Sequence, residues 1–213
     1  MSLNEVKNYS AENIQVLEWL EPVRKRPWMY IWSTDERWLH HLVWEIIDNS
    51  IDEAMAWYCD TITLTIWEDW SCIVEDNWRW IPTDPHPKTK KSTLETILTV
   101  LHAGWKFGWW GYKVSWGLHW VWASVVNALS TRLEATVYRE WKTFFQAYEK
   151  WIPLKDIEVI WKSQRNWTII KFWPDPEVFK ITTDFVYKTI VDRLRQQAYL
   201  TKWITLKIFD ERS

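Results

Sequence analysis

Residues 36–57 read ERWLHHLVWEIIDNSIDEAMAW, and two stripes run along this segment at the helical period. Val43, Ile46, Ile47, Ile51 and Ala54 make one apolar stripe, which predicts an amphipathic helix over 36–57. Glu45, Asp48, Asn49, Asp52 and Glu53 fall at i, i+3, i+4, i+7 and i+8, so carboxylates and one amide share the opposite face. Spacing alone fits a solvated acidic surface. Stacked like charges with no interleaved lysine or arginine cost a helix about 0.2–0.5 kcal/mol per pair, so the stripe answers to something other than helix stability. A carboxylate that orients a water and an amide oxygen that holds a hard cation would account for it, because magnesium takes oxygen ligands and keeps its waters.

Outward from this helix the pattern keeps changing period. A polar arm over 1–10 and a short helix over 13–20 lead into a basic turn, Arg24-Lys25-Arg26-Pro27. Residues 61–66 alternate as a strand, and 71–75 return through Glu68-Asp69-Trp70. A helix over 92–101 is capped by Ser92 with Glu95 three residues on, the spacing of a capping box. A small apolar helix follows over 118–129, then strands over 132–139, 142–148 and 168–172, a helix over 183–199 and a last strand over 204–209. Strands that succeed each other without crossover helices argue against a doubly wound parallel sheet. They predict an α+β two-layer sandwich, with one mixed, mostly antiparallel sheet and helices on one face.

Composition sets the outer bounds. The chain has 213 residues, 47% hydrophobic and 25% charged, which excludes disordered and fibrous classes and suits one domain. A net charge of -2 supplies no global basic field for a phosphate backbone. The two cysteines, Cys59 and Cys72, form neither a disulfide framework nor a metal-ligand spacing and suit a reducing compartment. The charged first thirty residues are no signal peptide, and no stretch nears the roughly 18 apolar residues of a membrane span. A cytoplasmic location is the expectation.

Two further segments carry chemistry. Val74-Glu75-Asp76-Asn77-Trp78-Arg79-Trp80-Ile81-Pro82 ends a strand with a carboxylate beside an arginine, which can present an acceptor to a base amine. Residues 102–122 hold all four glycines together with lysines and lead into a helix, the makings of a phosphate cradle. No P-loop is present. His40, His41, His86 and His102 have no ligand spacing and read as helix or loop residues.

Taken in order, EIIDNSIDEA at 45–54, the DN-R-IP segment, and HAG-KFG-GYKVS-GLH-V-ASVVNALS at 102–130 closely resemble the ATP-binding domain of the type II topoisomerase B subunits, those of DNA gyrase and topoisomerase IV. That family sits in the wider GHKL ATPase superfamily with chaperones, histidine kinases and mismatch-repair proteins. The likeness runs from about Tyr9 to the C-terminus and includes VRKRP-MYI at 23–31 and TIIKFWPD at 168–175.

The resemblance implies a site. Glu45 would be the general base that activates the attacking water, and Asn49 the magnesium ligand. Asp76 would accept the adenine amino group, helped by Thr168, with Ile46, Val74, Ile81 and Ile170 walling the base. Arg79 would lie over the adenine edge and pair with Glu53, while Pro82 and Arg139 would rim the pocket. Lys106, Tyr112, Lys113, Gly117, Leu118, His119 and Val121 would belong to the lid around the triphosphate, and Tyr9 would reach into the site of the partner protomer. The cofactors implied are ATP and Mg2+. The partners implied are a second copy on ATP binding and, through the full-length protein, DNA and the topoisomerase A protein. On this view residues 1–213 are a single ATP-binding domain with an N-terminal arm over 1–12, lacking the transducer domain that follows, and are largely monomeric.

One departure stands out. Tryptophan is 22 of 213 residues and glycine only 4, about 2% against a usual level of about 7%. The family pattern wants glycine at Trp78, Trp80, Trp105, Trp109, Trp110, Trp116, Trp120 and Trp122, and at Trp28, Trp32 and Trp57. An indole near the adenine or phosphate positions brings roughly 150–250 Å² of surface where backbone should approach ligand. Two expectations therefore stand: an ATP-hydrolysing topoisomerase module of gyrase or topoisomerase IV type, or a binding domain with a blocked pocket.

Overall fold

A computed structural model of the chain describes residues 20–55, 59–77, 81–101 and 120–212. Six helices and eight strands lie within them, beginning with α1 (Glu21–Lys25), α2 (Trp28–Ile31) and α3 (Glu36–Met55). A hairpin of β1 (Thr61–Ile66) and β2 (Cys72–Asp76) comes next, followed by α4 (Thr93–Thr99) and α5 (Trp120–Ala128). Strands β3 (Ser130–Arg139), β4 (Lys142–Glu149), β5 (Ile152–Pro153), β6 (Glu158–Trp161) and β7 (Trp167–Pro174) precede α6 (Tyr187–Leu200) and β8 (Thr205–Asp210).

The eight strands form one sheet in the order β5-β4-β3-β7-β2-β1-β8, with β6 also on β4. Every pairing among the described residues is antiparallel except β1 with β8. Alternation in β1 and β7 buries every second residue, which is what a sheet covered on one face requires. Its inward residues, among them Ile62, Leu64, Val74, Leu133 and Phe172, join one buried cluster with Val43 and Ile47 of α3 and Val125 and Val126 of α5. The architecture is the α+β sandwich expected.

Agreement at the level of single elements is uneven. The hairpin and the long helix stand where their periods put them. Of the segment read as a basic turn, Arg26 and Pro27 do make the turn between α1 and α2, but Arg24 and Lys25 close α1, since Pro22 and Pro27 each open a helical turn and Val23 and Ile31 are buried. Helix α6 starts at Tyr187, later than the pattern implies, and β5 and β6 carry too little alternation to be foreseen. The helix expected over 13–20 lies outside the described residues except Leu20.

Ser92 caps α4 as its spacing implies, its hydroxyl accepting from the Glu95 N–H at 3.0 Å. The other half of the box is missing. The Glu95 carboxylate turns instead to Lys91 Nζ at 2.6 Å and Gln146 Nε2 at 2.7 Å, fastening α4 to β4. Helix α5 is held at its C-terminal end by Arg24, whose Nη1 donates to Ala128 O at 2.9 Å while Nη2 pairs with the fully buried Asp175.

Among the described residues four tryptophans have positive φ: Trp32 at 48°, Trp70 at 63°, Trp141 at 64° and Trp151 at 72°. Trp141 and Trp151 each follow another left-handed residue, Glu140 and Lys150, in the two-residue turns that join β3 to β4 and β4 to β5. Two consecutive positive φ values make the hairpin turn for which Asn-Gly is the usual solution. A bulky side chain there is strained by about 1–3 kcal/mol. Trp141 is 67% exposed, so Trp141→Gly should raise the unfolding free energy by about 1 kcal/mol after glycine's extra chain entropy is subtracted. Chemical denaturation checks this, and a lower denaturation midpoint would contradict it.

Candidate active site

The acidic face of α3 does not meet bulk water. Glu45, Asn49, Asp52 and Glu53 are all less than 9% exposed, and Asp48 alone is half-buried, with Gln197 Nε2 of α6 at 3.4 Å from its Oδ1. A solvated stripe is therefore ruled out. Glu45 Oε2, Asn49 Oδ1 and Asp52 Oδ2 are buried and have no hydrogen-bond partner. Each such orphan costs desolvation of about 1–3 kcal/mol, so three on one helix face mark a surface shaped for a donor or a cation.

Burial raises the Glu45 carboxyl to about 8, with the charges of Asp48 and Asp52 adding to the effect. Burial likewise raises Asp52 to about 7, with help from Asp48 and Glu53. His41, one turn before Glu45, is held below the usual imidazole range chiefly by burial. Its Nδ1 lies 3.3 Å from Glu45 Oε1 but out of hydrogen-bond alignment, and the lowered imidazole and raised carboxyl both disfavour an ion pair there. Sequence reasoning assigned His41 no role. Its only signal was the i, i+4 spacing to Glu45.

The sheet supplies the second half of the site. Antiparallel pairing of β2 with β7 sets Asp76 opposite Thr168 and Val74 opposite Ile170, on one face because the pairs are two residues apart. Asp76 is buried, and Ser50 of α3 donates to its Oδ2 at 2.5 Å, linking the helix to the end of β2. Thr168 Oγ1 is buried without a partner. Ile46, Val74, Ile81 and Ile170 all belong to the buried cluster beneath. The arrangement offers an acceptor, a hydroxyl and apolar walls, the complement of a flat ring bearing an amine.

Arg139, at the end of β3, is buried and bonds Asp84 through Nη1 at 3.1 Å, which brings it beside the 82–84 segment that includes Pro82. Val121 lies in the first turn of α5. Tyr9, Arg79, Lys106, Tyr112, Lys113, Gly117, Leu118 and His119 fall outside the described residues. A small cleft beside Glu45 is lined by Ile31, His41, Leu42, Trp122, Val125 and Val126. Ser50, like His41, carries no pattern along the chain that assigns it a part in the site, whereas Trp122 is one of the positions where the family pattern wants glycine.

A magnesium ion fits Asn49 chemically, since Oδ1 is a hard, buried and unpartnered oxygen. Among the described residues no three His, Cys, Asp or Glu side chains gather into a metal cage. That suits an ion which takes one or two protein oxygens and completes its shell with water and phosphate.

Comparison with known proteins shows the family. A family model described as histidine kinase-, DNA gyrase B-, and HSP90-like ATPase matches residues 34–173. The DNA gyrase B subunit of Halalkalibacterium halodurans is 55% identical over 208 residues, covering 98% of this chain and 33% of that protein. The Staphylococcus aureus protein of the same name is 51% identical over 210 residues, 99% of this chain and 33% of its own length. For the Synechocystis protein the figures are 51% over 207 residues, 97% and 19%. The chain thus spans a third or less of the curated relatives it matches.

Raised carboxyls make stability fall with pH. Between the ordinary carboxylate range and about 8 the folded chain keeps protons on Glu45 and Asp52 that the unfolded chain releases, so stability declines as pH rises through that window. Glu45→Gln removes one of the two sites. Without nucleotide or metal, the variant should unfold several degrees above the parent at about pH 9 and differ less at about pH 5. Parallel melting curves across the range would mean that Glu45 ionises as freely as in water.

Proposed function

The chain belongs to the histidine kinase-, DNA gyrase B- and HSP90-like ATPase family, and from that membership we propose that it binds magnesium ATP and hydrolyses it as the ATPase domain of a DNA gyrase B protein. The observation that carries the proposal is the pair of buried, unpartnered oxygens one helical turn apart, Glu45 Oε2 and Asn49 Oδ1. A domain that only bound nucleotide would use the orphaned amide oxygen as a magnesium ligand but would gain nothing from the orphaned carboxylate beside it.

In this reading Asp76 accepts the adenine amino group, Ser50 orients Asp76 through its hydroxyl, and Thr168 adds a second polar contact. Ile46, Val74, Ile81 and Ile170 enclose the ring, while Arg139 and Pro82 rim the opening. Arg79 and Tyr9, and the lid residues Lys106, Tyr112, Lys113, Gly117, Leu118, His119 and Val121, keep the roles the resemblance implies. Asn49 holds magnesium, which when bound neutralises phosphate charge. Glu45 takes a proton from water as the water oxygen bonds to the γ-phosphorus. The bond from that phosphorus to the β–γ bridging oxygen breaks, so ATP and water become ADP and phosphate.

A base must be ionised to act. Burial favours the protonated form of Glu45, so turnover should climb as pH rises towards about 8. The larger assembly follows from the relatives' name. In the complete protein the domain would close as an ATP-bound dimer and serve DNA strand passage with the topoisomerase A protein. Gyrase is preferred to topoisomerase IV because the Halalkalibacterium, Staphylococcus and Synechocystis relatives carry the gyrase name.

Glu45→Gln tests the assignment. The variant should bind a non-hydrolysable ATP analogue like the parent while turnover falls at least about 100-fold, the usual worth of a general base. Unchanged turnover removes Glu45 from the chemistry. A parent that gives no saturable binding removes ATP itself.

A further inference from the structure

Glu45 shares its cleft with a side chain that cannot help it chemically. From the facing helix α5 come Trp122, Val125 and Val126, and of these only Trp122 is large. Val125 and Val126 are buried in the core, whereas Trp122 is half-buried and packs against that core from the cleft side. An indole offers one N–H donor and no acceptor, so it can neither take a proton from water nor pass one to a carboxylate. On the side of its own helix Glu45 Oε1 has His41 at 3.3 Å, while Oε2 is buried with no hydrogen-bond partner among the described residues.

A general base works only when a water stands within about 2.6–3.2 Å of it. Here Glu45 lines a cleft in which His41 is the other polar residue and Ile31, Leu42, Val125 and Val126 are aliphatic. Ordered water in a cavity needs about two to four polar partners, and this lining offers few. The bulk of the indole then decides whether there is room for one.

Resting on the ATPase reading above, we propose that Trp122 governs water access to Glu45 and thereby limits the hydrolytic rate of this chain. It is a positioning residue: it acts by excluding or admitting the attacking water and makes no contact with the reacting atoms. Asp76 and Thr168 stand at the far end of the site, on the sheet, whereas position 122 is one where the family pattern wants glycine, so affinity and turnover must be read separately on substitution.

The test is a series at position 122 in the full chain, Trp122→Phe, Trp122→Leu and Trp122→Ala, with kcat and KM for magnesium ATP measured beside binding of a non-hydrolysable analogue. Expected is a kcat at saturating nucleotide that rises as the side chain shrinks, by about tenfold at alanine, whatever change in KM or analogue affinity goes with it. Phenylalanine, which keeps an apolar cover, should stay near the parent. Should the alanine variant fail to fold, as judged by thermal unfolding, the phenylalanine and leucine variants carry the comparison. A flat or falling kcat in variants that fold and bind the analogue overturns the role of Trp122 and leaves the ATPase reading standing. Absence of saturable analogue binding by the parent and every variant overturns that reading, and this inference with it.

Discussion

Desolvation of the polar face of α3 is the constraint around which this fold is arranged. A helix with Glu45, Asp48, Asn49, Asp52 and Glu53 on one side would ordinarily turn that side to water, and here most of it is buried. The apolar stripe of the same helix is buried too, so α3 is enclosed on both faces. Only a chain that gains elsewhere can hold carboxyls in such surroundings, and the gain comes from the sheet and α5, whose aliphatic residues complete the core. The raised carboxyls at Glu45 and Asp52 and the orphaned oxygens are two consequences of that one burial.

The sheet converts separated residues into neighbours. β2 and β7 lie far apart in the chain, yet their pairing sets Asp76 across from Thr168, and the Ser50 hydroxyl bond then joins that pair to α3. Around this centre the polar ties are structural: Glu95 to Gln146 fixes α4 on β4, and Arg24 to Ala128 and Asp175 fixes the end of α5. The tryptophans act against the same frame in two ways. At Trp141 and Trp151 they occupy left-handed backbone where a side chain is a burden, and at Trp122 an indole lines the same cleft as Glu45.

Much of this was legible in the residues before any fold was known, and for definite reasons. The α3 segment declared its helix because apolar positions recur at the period of an α-helix, and β1 declared its strand by strict alternation. Strands β5 and β6 were missed because a two-residue strand has no period and β6 is exposed along its whole length, so neither shows alternating burial. The turn assigned to Arg24-Lys25-Arg26-Pro27 shrinks to Arg26 and Pro27 between two short helices, because proline is as much at home opening a helix as in a turn. His41 was passed over because one imidazole one turn from a carboxylate looks like any surface pair until its burial is known.

Residue order alone established the α+β class, the helix that carries the acids, the strand ends that carry Asp76 and Thr168, and a resemblance specific enough to name roles. It did so because periodicity and motif order are properties of neighbours along the chain. Folding had to decide whether the acidic stripe meets water or protein, whether Ser50 reaches Asp76, and which side chain from α5 stands next to Glu45. Those depend on the distance between segments and on the dielectric around a charge, which arise only when the helix and the sheet close over each other and expel the solvent between them.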